Sequence, residues 1–322
     1  MTDRAPSPAS VPSTVAVAVL LAVPQTLAVA ALSGIGHRWV DILAQFTGPA
    51  LIVAIAGLAW ARLLRSKALV VAAAAACLLV VAAGWPQWAP ARGRPVEGGE
   101  SFTLYSANLH ARNTDVEAIG RSIAEADADV VALVEVGPGF SRRDLDVMLA
   151  GYPHRAIRGA PLHPEAALSL IASRRPLTDL RLSIRYLSVV GAVVETPLGP
   201  VTVAGVHMTR PWPYQIQWEQ IRQAEGLSGW ARSVDGPVVA AGDFNSVSSA
   251  RIGKIIKQDG GLVPAPGWPA TWPSALPAFA GITIDQVYRT PDLALVERRL
   301  GRPNGSDHRP VITRFVRAAP DG

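Results

Sequence analysis

The stretch Val238-Val239-Ala240-Ala241-Gly242-Asp243-Phe244-Asn245 decides how the chain beyond residue 98 is read. Two β-branched residues followed by two alanines predict a buried strand, and Gly242 ends it. Side chains two apart in extended backbone point the same way, so Asp243 and Asn245 can share a face while Phe244 points into the core. A plain turn is the competing reading, because Gly, Asp and Asn are common turn residues.

The same coincidence of strand end and polar residue recurs. Ser306-Asp307-His308-Arg309-Pro310 precedes the last strand, Pro310 to Phe315. A carboxylate beside an imidazole can bind a hard cation while the ring contacts phosphate or water, and a polar loop would use the same residues. Asp285 follows Ile282-Thr283-Ile284. A buried carboxylate needs a partner, and a histidine held in one tautomer is a suitable one. Glu135 ends the apolar run Val130 to Val134, where a metal ion or a salt bridge would each satisfy it. Asn108 and His207 also follow β-rich stretches, where ordinary hydrogen-bonded side chains are common.

Outward from these positions the pattern alternates. Phe102 to Asn108 and Asp129 to Glu135 read as strands, as do Val238 to Ala241 and Thr283 to Tyr288. Between the first two, Thr114-Asp115-Val116-Glu117 reads as a capping box opening a helix with Val116, Ile119 and Ile123 on one face. Ser141 to Ala150 and Tyr214 to Arg232 read as further helices. Thr196 to Pro200 joins Val193-Val194-Glu195 to Val201–Val206 as a hairpin. No internal repeat is present, and the alternation predicts one layered α/β domain over residues 100–318.

The first 90 residues differ. No residue between Arg4 and His37 is charged, and the apolar runs cover about 15–32, 47–64 and 68–85. Each approaches the ~17–25 residues that cross a bilayer as a helix; three buried helices of a soluble bundle are the alternative. Arg62, Arg65 and Lys67 crowd the short link between the second and third runs. The positive-inside rule puts that link and the N-terminus in the cytoplasm, and everything after Trp85 outside, in a multi-pass cell-membrane protein. Ala28-Val29-Ala30 resembles a signal-peptide cleavage site, and cleavage there would leave the same C-terminal location. Residues 86–99, rich in Pro, Gly and Arg, read as a linker.

Composition agrees. The chain is 322 residues long, 49% hydrophobic and only 17% charged, with a mean hydropathy of +0.25. One cysteine excludes a disulfide scaffold. The net charge of +5 rests on 27 Arg and 3 Lys spread along the chain, which suits nucleic acid, membranes or phosphates alike.

Taken in order, Ser106-Ala107-Asn108, Val131 to Glu135, Gly205-Val206-His207, Gly242 to Asn245, Ile284-Asp285-Gln286-Val287 and Ser306 to Pro310 resemble the endonuclease/exonuclease/phosphatase superfamily. That resemblance implies a four-layered α/β sandwich and metal-dependent hydrolysis of phosphoesters by direct attack of water. It makes Glu135 the principal metal ligand, with Asn108 nearby and Asp307 a ligand or supporting carboxylate. It makes Asp243 the group that orients or deprotonates water, assisted by Asn245. His207 and His308 would stabilise phosphoryl charge, and Asp285 would fix His308. The implied ion is Mg²⁺, with Mn²⁺ as an alternative. Val134 and Gln286 depart from the superfamily's common Gln and His.

The layout of apolar helices and an external domain is similar to membrane-bound teicoplanin-resistance proteins of the VanJ type. It implies undecaprenyl pyrophosphate or another lipid phosphate as substrate, with carrier-lipid recycling, antibiotic resistance and phosphate scavenging as alternative roles. An external nuclease is the second class, with Trp212, Tyr214, Trp218, Trp268 and Trp272 available to stack bases. The same aromatics can instead form rigid site-rim loops or face the membrane. A non-enzymatic binding module is the third class.

Overall fold

The computed structural model describes residues 11–159, 167–211 and 217–320. The charge-free runs become helices because Ala, Val and Leu have no side-chain competitor for the backbone hydrogen bonds. They are α1 (Val11–Ser33), α2 (Arg38–Leu43), a 3₁₀ turn (Ala44–Phe46), α3 (Thr47–Leu63) and α4 (Lys67–Trp88). Among the described residues, three helical stretches of 23, 26 and 22 residues are long and apolar enough to cross a membrane. Small residues line their contacts. Ala54, Ala61, Ala73 and Ala76 pack around Val17 and Leu21, so small side chains let the helices approach closely.

The rest forms four layers. One six-stranded sheet has the order β11-β12-β1-β2-β4-β3, from β1 (Ser101–Asn108), β2 (Val130–Val136), β3 (His154–Arg158), β4 (Leu168–Ser173), β11 (Leu293–Leu300) and β12 (Val311–Arg317). The other has the order β5-β6-β7-β8-β10-β9. Its strands are β5 (Leu177–Asp179), β6 (Ser188–Thr196), β7 (Gly199–His207), β8 (Val238–Asp243), β9 (Val263–Pro264) and β10 (Asp285–Arg289). Phe102, Leu104, Ile171, Val190, Val203, Val239 and Phe315 fill the space between the sheets. Helices α5 (Val116–Ala126) and α6 (Arg142–Met148) cover the first sheet, and α7 (Gln217–Arg232) and α8 (Arg251–Gln258) the second.

Each sheet contains one parallel pair, β1 with β2 and β7 with β8, joined by α5 and α7 respectively as parallel crossovers require. Ser141 and Asp144 close a capping box on α6. At α5 the structure corrects the sequence reading: Asp115, not Thr114, is the cap, its Oδ1 accepting the Ala118 amide at 2.8 Å. Both residue types cap well, and the chain enters the helix one residue later than the motif suggests. The described part of the expected Tyr214–Arg232 helix begins at Gln217, and Trp212 and Tyr214 lie outside the described residues.

The domain rests on one end of the helix bundle. The Gly267 amide donates to the Gln87 carbonyl at 2.7 Å, and Ser249 Oγ lies 3.2 Å from Gln87 Oε1. Gln217 Nε2 donates to Asp41 at 2.5 Å. Phe46 packs against Val247, Ala250, Ile282 and Ile284. The residues after α4 run along the domain: Ala91 O accepts from Arg289 Nη2 at 2.9 Å, and Arg92 O from the Leu295 amide at 2.7 Å.

Candidate functional site

Strand register assembles the polar residues. Asp243, the last residue of β8, pairs with His207 of β7 on one side and Asp285 of β10 on the other. Asn108 ends β1 in the opposite sheet, yet its Nδ2 donates to Asp243 Oδ2 at 3.0 Å. The carboxyl ends of both parallel pairs therefore meet, the place where open α/β sheets bind ligands.

Asp243 is the hub. It is 2% exposed, accepts the Asn245 amide at 2.8 Å and the Asn245 Nδ2 at 3.1 Å, and lies 3.9 Å from His207 Nε2 and 4.0 Å from His308 Nε2. His207 Nε2 is also 3.1 Å from Glu135 Oε1. His308 Nδ1 is 2.9 Å from Asp285 Oδ2, so the Asp285 carboxylate fixes the ring and leaves Nε2 facing Asp243. Two overlapping groups have donor atoms within 4.8 Å of one another: Glu135, His207 and Asp243, and Asp243, Asp285 and His308.

The charges are uneven. Burial pushes the Asp243 carboxyl up to about 6, and the Asp285 carboxylate alongside adds to the rise, against the pull of His308 and His207. Burial also works against Glu135, but the His207 hydrogen bond and the His207 and His308 charges outweigh it and hold that carboxyl at about 2. His308 rises to about 10: burial disfavours its cation, but the Asp285, Asp243 and Asp307 carboxylates more than offset it. A deprotonated acid, a poised acid and a protonated ring thus face one space. Such divergence is how one site holds a base beside cationic donors.

Local backbone sets two of these positions. Glu135 has φ +52°, and the β2–β4 register slips between Leu133 and Val136. That bulge turns Glu135 out of the sheet's alternation, a common device beside active sites. Gly242 has φ +141°, and a Cβ there would sit 2.1 Å from the Val206 carbonyl oxygen. Gly242→Ala is therefore expected to destabilise the domain by about 3 kcal/mol or more, from backbone strain and overlap together. Urea unfolding of the variant checks it.

Seven of the eight residues singled out in the sequence, Asn108, Glu135, His207, Asp243, Asn245, Asp285 and His308, converge here. Asp307 stands at the rim, its side chain 50% exposed and its Oδ1 4.0 Å from His308 Nε2; its Oδ2 lies 3.4 Å from Trp272 Nε1. Gln286 points away, its Nε2 donating to the Ser246 and Thr283 carbonyls at 3.2 and 2.6 Å. It braces the loop after β8. Thr271 carries no signal in the sequence. Its Oγ1 accepts the Asp285 amide at 3.2 Å and the Ile284 amide at 3.3 Å, holding the strand that presents Asp285.

Comparison with known proteins agrees with this geometry. Residues 98–308 match the model of the endonuclease/exonuclease/phosphatase family. The chain is similar to a solved endonuclease/exonuclease/phosphatase from Beutenbergia cavernae at 20% identity and TM-score 0.52, covering 68% of this chain and 72% of that one. It is also similar to one from Bacteroides vulgatus at 14% identity and TM-score 0.56, covering 68% and 99%. At these identities the likeness shows the fold. No curated protein matches the chain.

Proposed function

The chain belongs to the endonuclease/exonuclease/phosphatase family, a family of metal-dependent phosphoester hydrolases, and on that premise we propose that it is a membrane-anchored phosphohydrolase acting on a lipid phosphate. Undecaprenyl pyrophosphate, or another polyprenyl pyrophosphate, is the proposed substrate. One observation carries the proposal: the domain bearing the site is hydrogen-bonded to the end of a bundle of membrane-length helices through Gln87 and Asp41. Such a site works at the level of lipid head groups. Arg62, Arg65 and Lys67 lie at the opposite end of the bundle, around the turn from α3 to α4. They favour a cytoplasmic link and an extracytoplasmic domain.

The donors fit a hard dication, since the carboxylates of Glu135 and Asp243 bring oxygens within 4.8 Å of one another beside His207. Glu135 and Asn108 would hold Mg²⁺, or Mn²⁺ in its place, with Asp307 at the rim as a further carboxylate. When bound, such an ion neutralises phosphoryl oxygens as a Lewis acid. Asp243 takes the proton of the attacking water, and Asn245 helps hold that water. Protonated His308, positioned by Asp285, and His207 donate to the phosphoryl oxygens. Positioning and charge neutralisation are what phosphoryl transfer requires.

The test is phosphate release from undecaprenyl pyrophosphate by the full-length chain in detergent with Mg²⁺, beside a DNA-nicking assay on the same preparation. Release from the lipid with weaker or no nicking is expected. Nicking without release would overturn the lipid reading in favour of an external nuclease.

A further inference from the structure

Residues 260–284 contain no Asp, Glu, Lys or Arg, although they lie within the water-facing domain. After the two residues of β9 they form a long loop that leads to β10, and both ends of this loop are pinned to the helix bundle. At one end Gly267 donates to the Gln87 carbonyl at the last turn of α4, at 2.7 Å. A Cβ on Gly267 would fall 2.5 Å from Gln87 Cγ, so the Gln87 side chain packs against this glycine where a larger residue would displace it. At the other end the Gly281 carbonyl oxygen lies 3.2 Å from where a Cβ of Gly48, in the first turn of α3, would stand. Ile282 and Trp272 pack with Phe46 just before that turn.

Between the pins the loop presents apolar side chains outward, Leu276 at 46% and Phe279 at 55% exposure. They are held there by the backbone. The Arg309 guanidinium donates to the carbonyls of Pro273 at 3.1 Å, of Ser274 at 2.8 Å, and of Leu276. The Ala280 amide closes on the Pro277 carbonyl at 2.8 Å. An ordered tip that shows leucine and phenylalanine and no charge is built to meet an apolar phase. Its seat on the ends of α3 and α4 places that phase at the bilayer that these helices would cross.

We propose that the tip Ala275–Phe279 inserts into the head-group region of the same membrane, holding the mouth of the site at the lipid surface. The proposal rests on the membrane reading of the helices. The loop's base is bonded to the site: the Ser274 amide donates to the Asp307 carbonyl at 2.7 Å, Ser274 Oγ to the Ser306 carbonyl at 2.8 Å, and Thr271 holds the Asp285 amide. Insertion would therefore fix the height of Asp307 and His308 above the acyl chains, where a lipid's phosphate lies.

The experiment uses the full chain with Cys77→Ala, reconstituted in phosphatidylcholine/phosphatidylglycerol vesicles. A polarity-sensitive fluorophore is placed on Ala275→Cys, and on Val147→Cys, exposed on α6 against the other sheet, as control. The expected result is blue-shifted emission, quenched by lipid nitroxides near the head groups, from position 275 alone. In parallel, Leu276→Ser/Phe279→Ser should raise KM for a vesicle-borne lipid pyrophosphate about tenfold and leave kcat on a water-soluble phosphoester unchanged. A chain that resists alkaline carbonate extraction but whose 275 label behaves like the 147 label overturns the insertion while leaving the membrane reading intact. Extraction by carbonate overturns both. The fluorescence readout needs no substrate, so it is decided independently of the substrate assignment.

Discussion

Asp243→Asn in the full-length chain is expected to lower kcat by roughly 10²–10⁴-fold, the range set by loss of a positioned general base. The fold should survive, and the metal-free variant should melt close to the wild type at pH 7. The sign follows from linkage. Asp243 is buried beside Asp285, and its folded pKa is pushed up to about 6 from the ordinary value of 3.8. A folded state that binds the proton more tightly than the unfolded chain loses stability as pH rises from about 3.8 through about 6. At pH 7 the ionised carboxylate is therefore a cost to the fold that the amide removes. Asparagine retains an acceptor for the Asn245 amide, which lies 2.8 Å from Asp243 Oδ1, but loses the one for Asn108 Nδ2 and Asn245 Nδ2, so the gain from removing the charge is partly offset. A residue kept at the expense of stability serves the reaction. Steady-state phosphate release and a melt in chelator decide the matter: lost activity with a clearly lower melting temperature would make Asp243 a structural residue.

The strands were legible because each is a run of β-branched or small apolar residues bounded by Gly, Pro or a polar break. Val238–Ala241 was read as a strand and is the body of β8. The membrane-length helices were equally plain from the lack of charge. What the sequence did not show is non-local. That Asp285 lies beside Asp243 depends on β10 pairing antiparallel with β8, and no local pattern sets that pairing. Asn108 and Asp243 meet only because the two sheets stack face to face. The bulge at Glu135 was also hidden, because Val130 to Val134 reads as uninterrupted strand. Gln286 looked like a changed site residue. Strand alternation sends its side chain away from the face that Asp285 occupies. Residues 86–99 were read as a linker, yet Gln87 lies in the last turn of α4 and forms the dock. Pro86 stands inside that helix, where it removes one hydrogen bond without ending it.

Glu135→Gln is expected to remove the dependence on divalent ion, and with it activity, by on the order of 10³-fold or more, because the charge that would hold the cation is lost while size is kept. Differential scanning fluorimetry with and without Mg²⁺ is the direct readout. The wild type should gain stability with ion concentration as binding to the folded state requires, and the variant should not. An equal Mg²⁺ shift in both proteins would move the ion away from Glu135. The backbone at this residue supplies a second, independent check. At φ +52° a side chain is strained where glycine is not. Glu135→Gly and Glu135→Ala lose the same contacts to His207 and the Ala111 amide, so the difference between them reports the strain less the extra unfolded-chain entropy of glycine. The glycine variant should be the more stable by about 1 kcal/mol. Strand β2 then carries a conformation that its own residues disfavour, and the bulge is held because it turns one carboxylate towards His207 and Asp243. If alanine proves the more stable by about 0.4–1 kcal/mol, as it would at an unstrained position, the bulge is relaxed, and Glu135 is placed by packing and not held against its backbone.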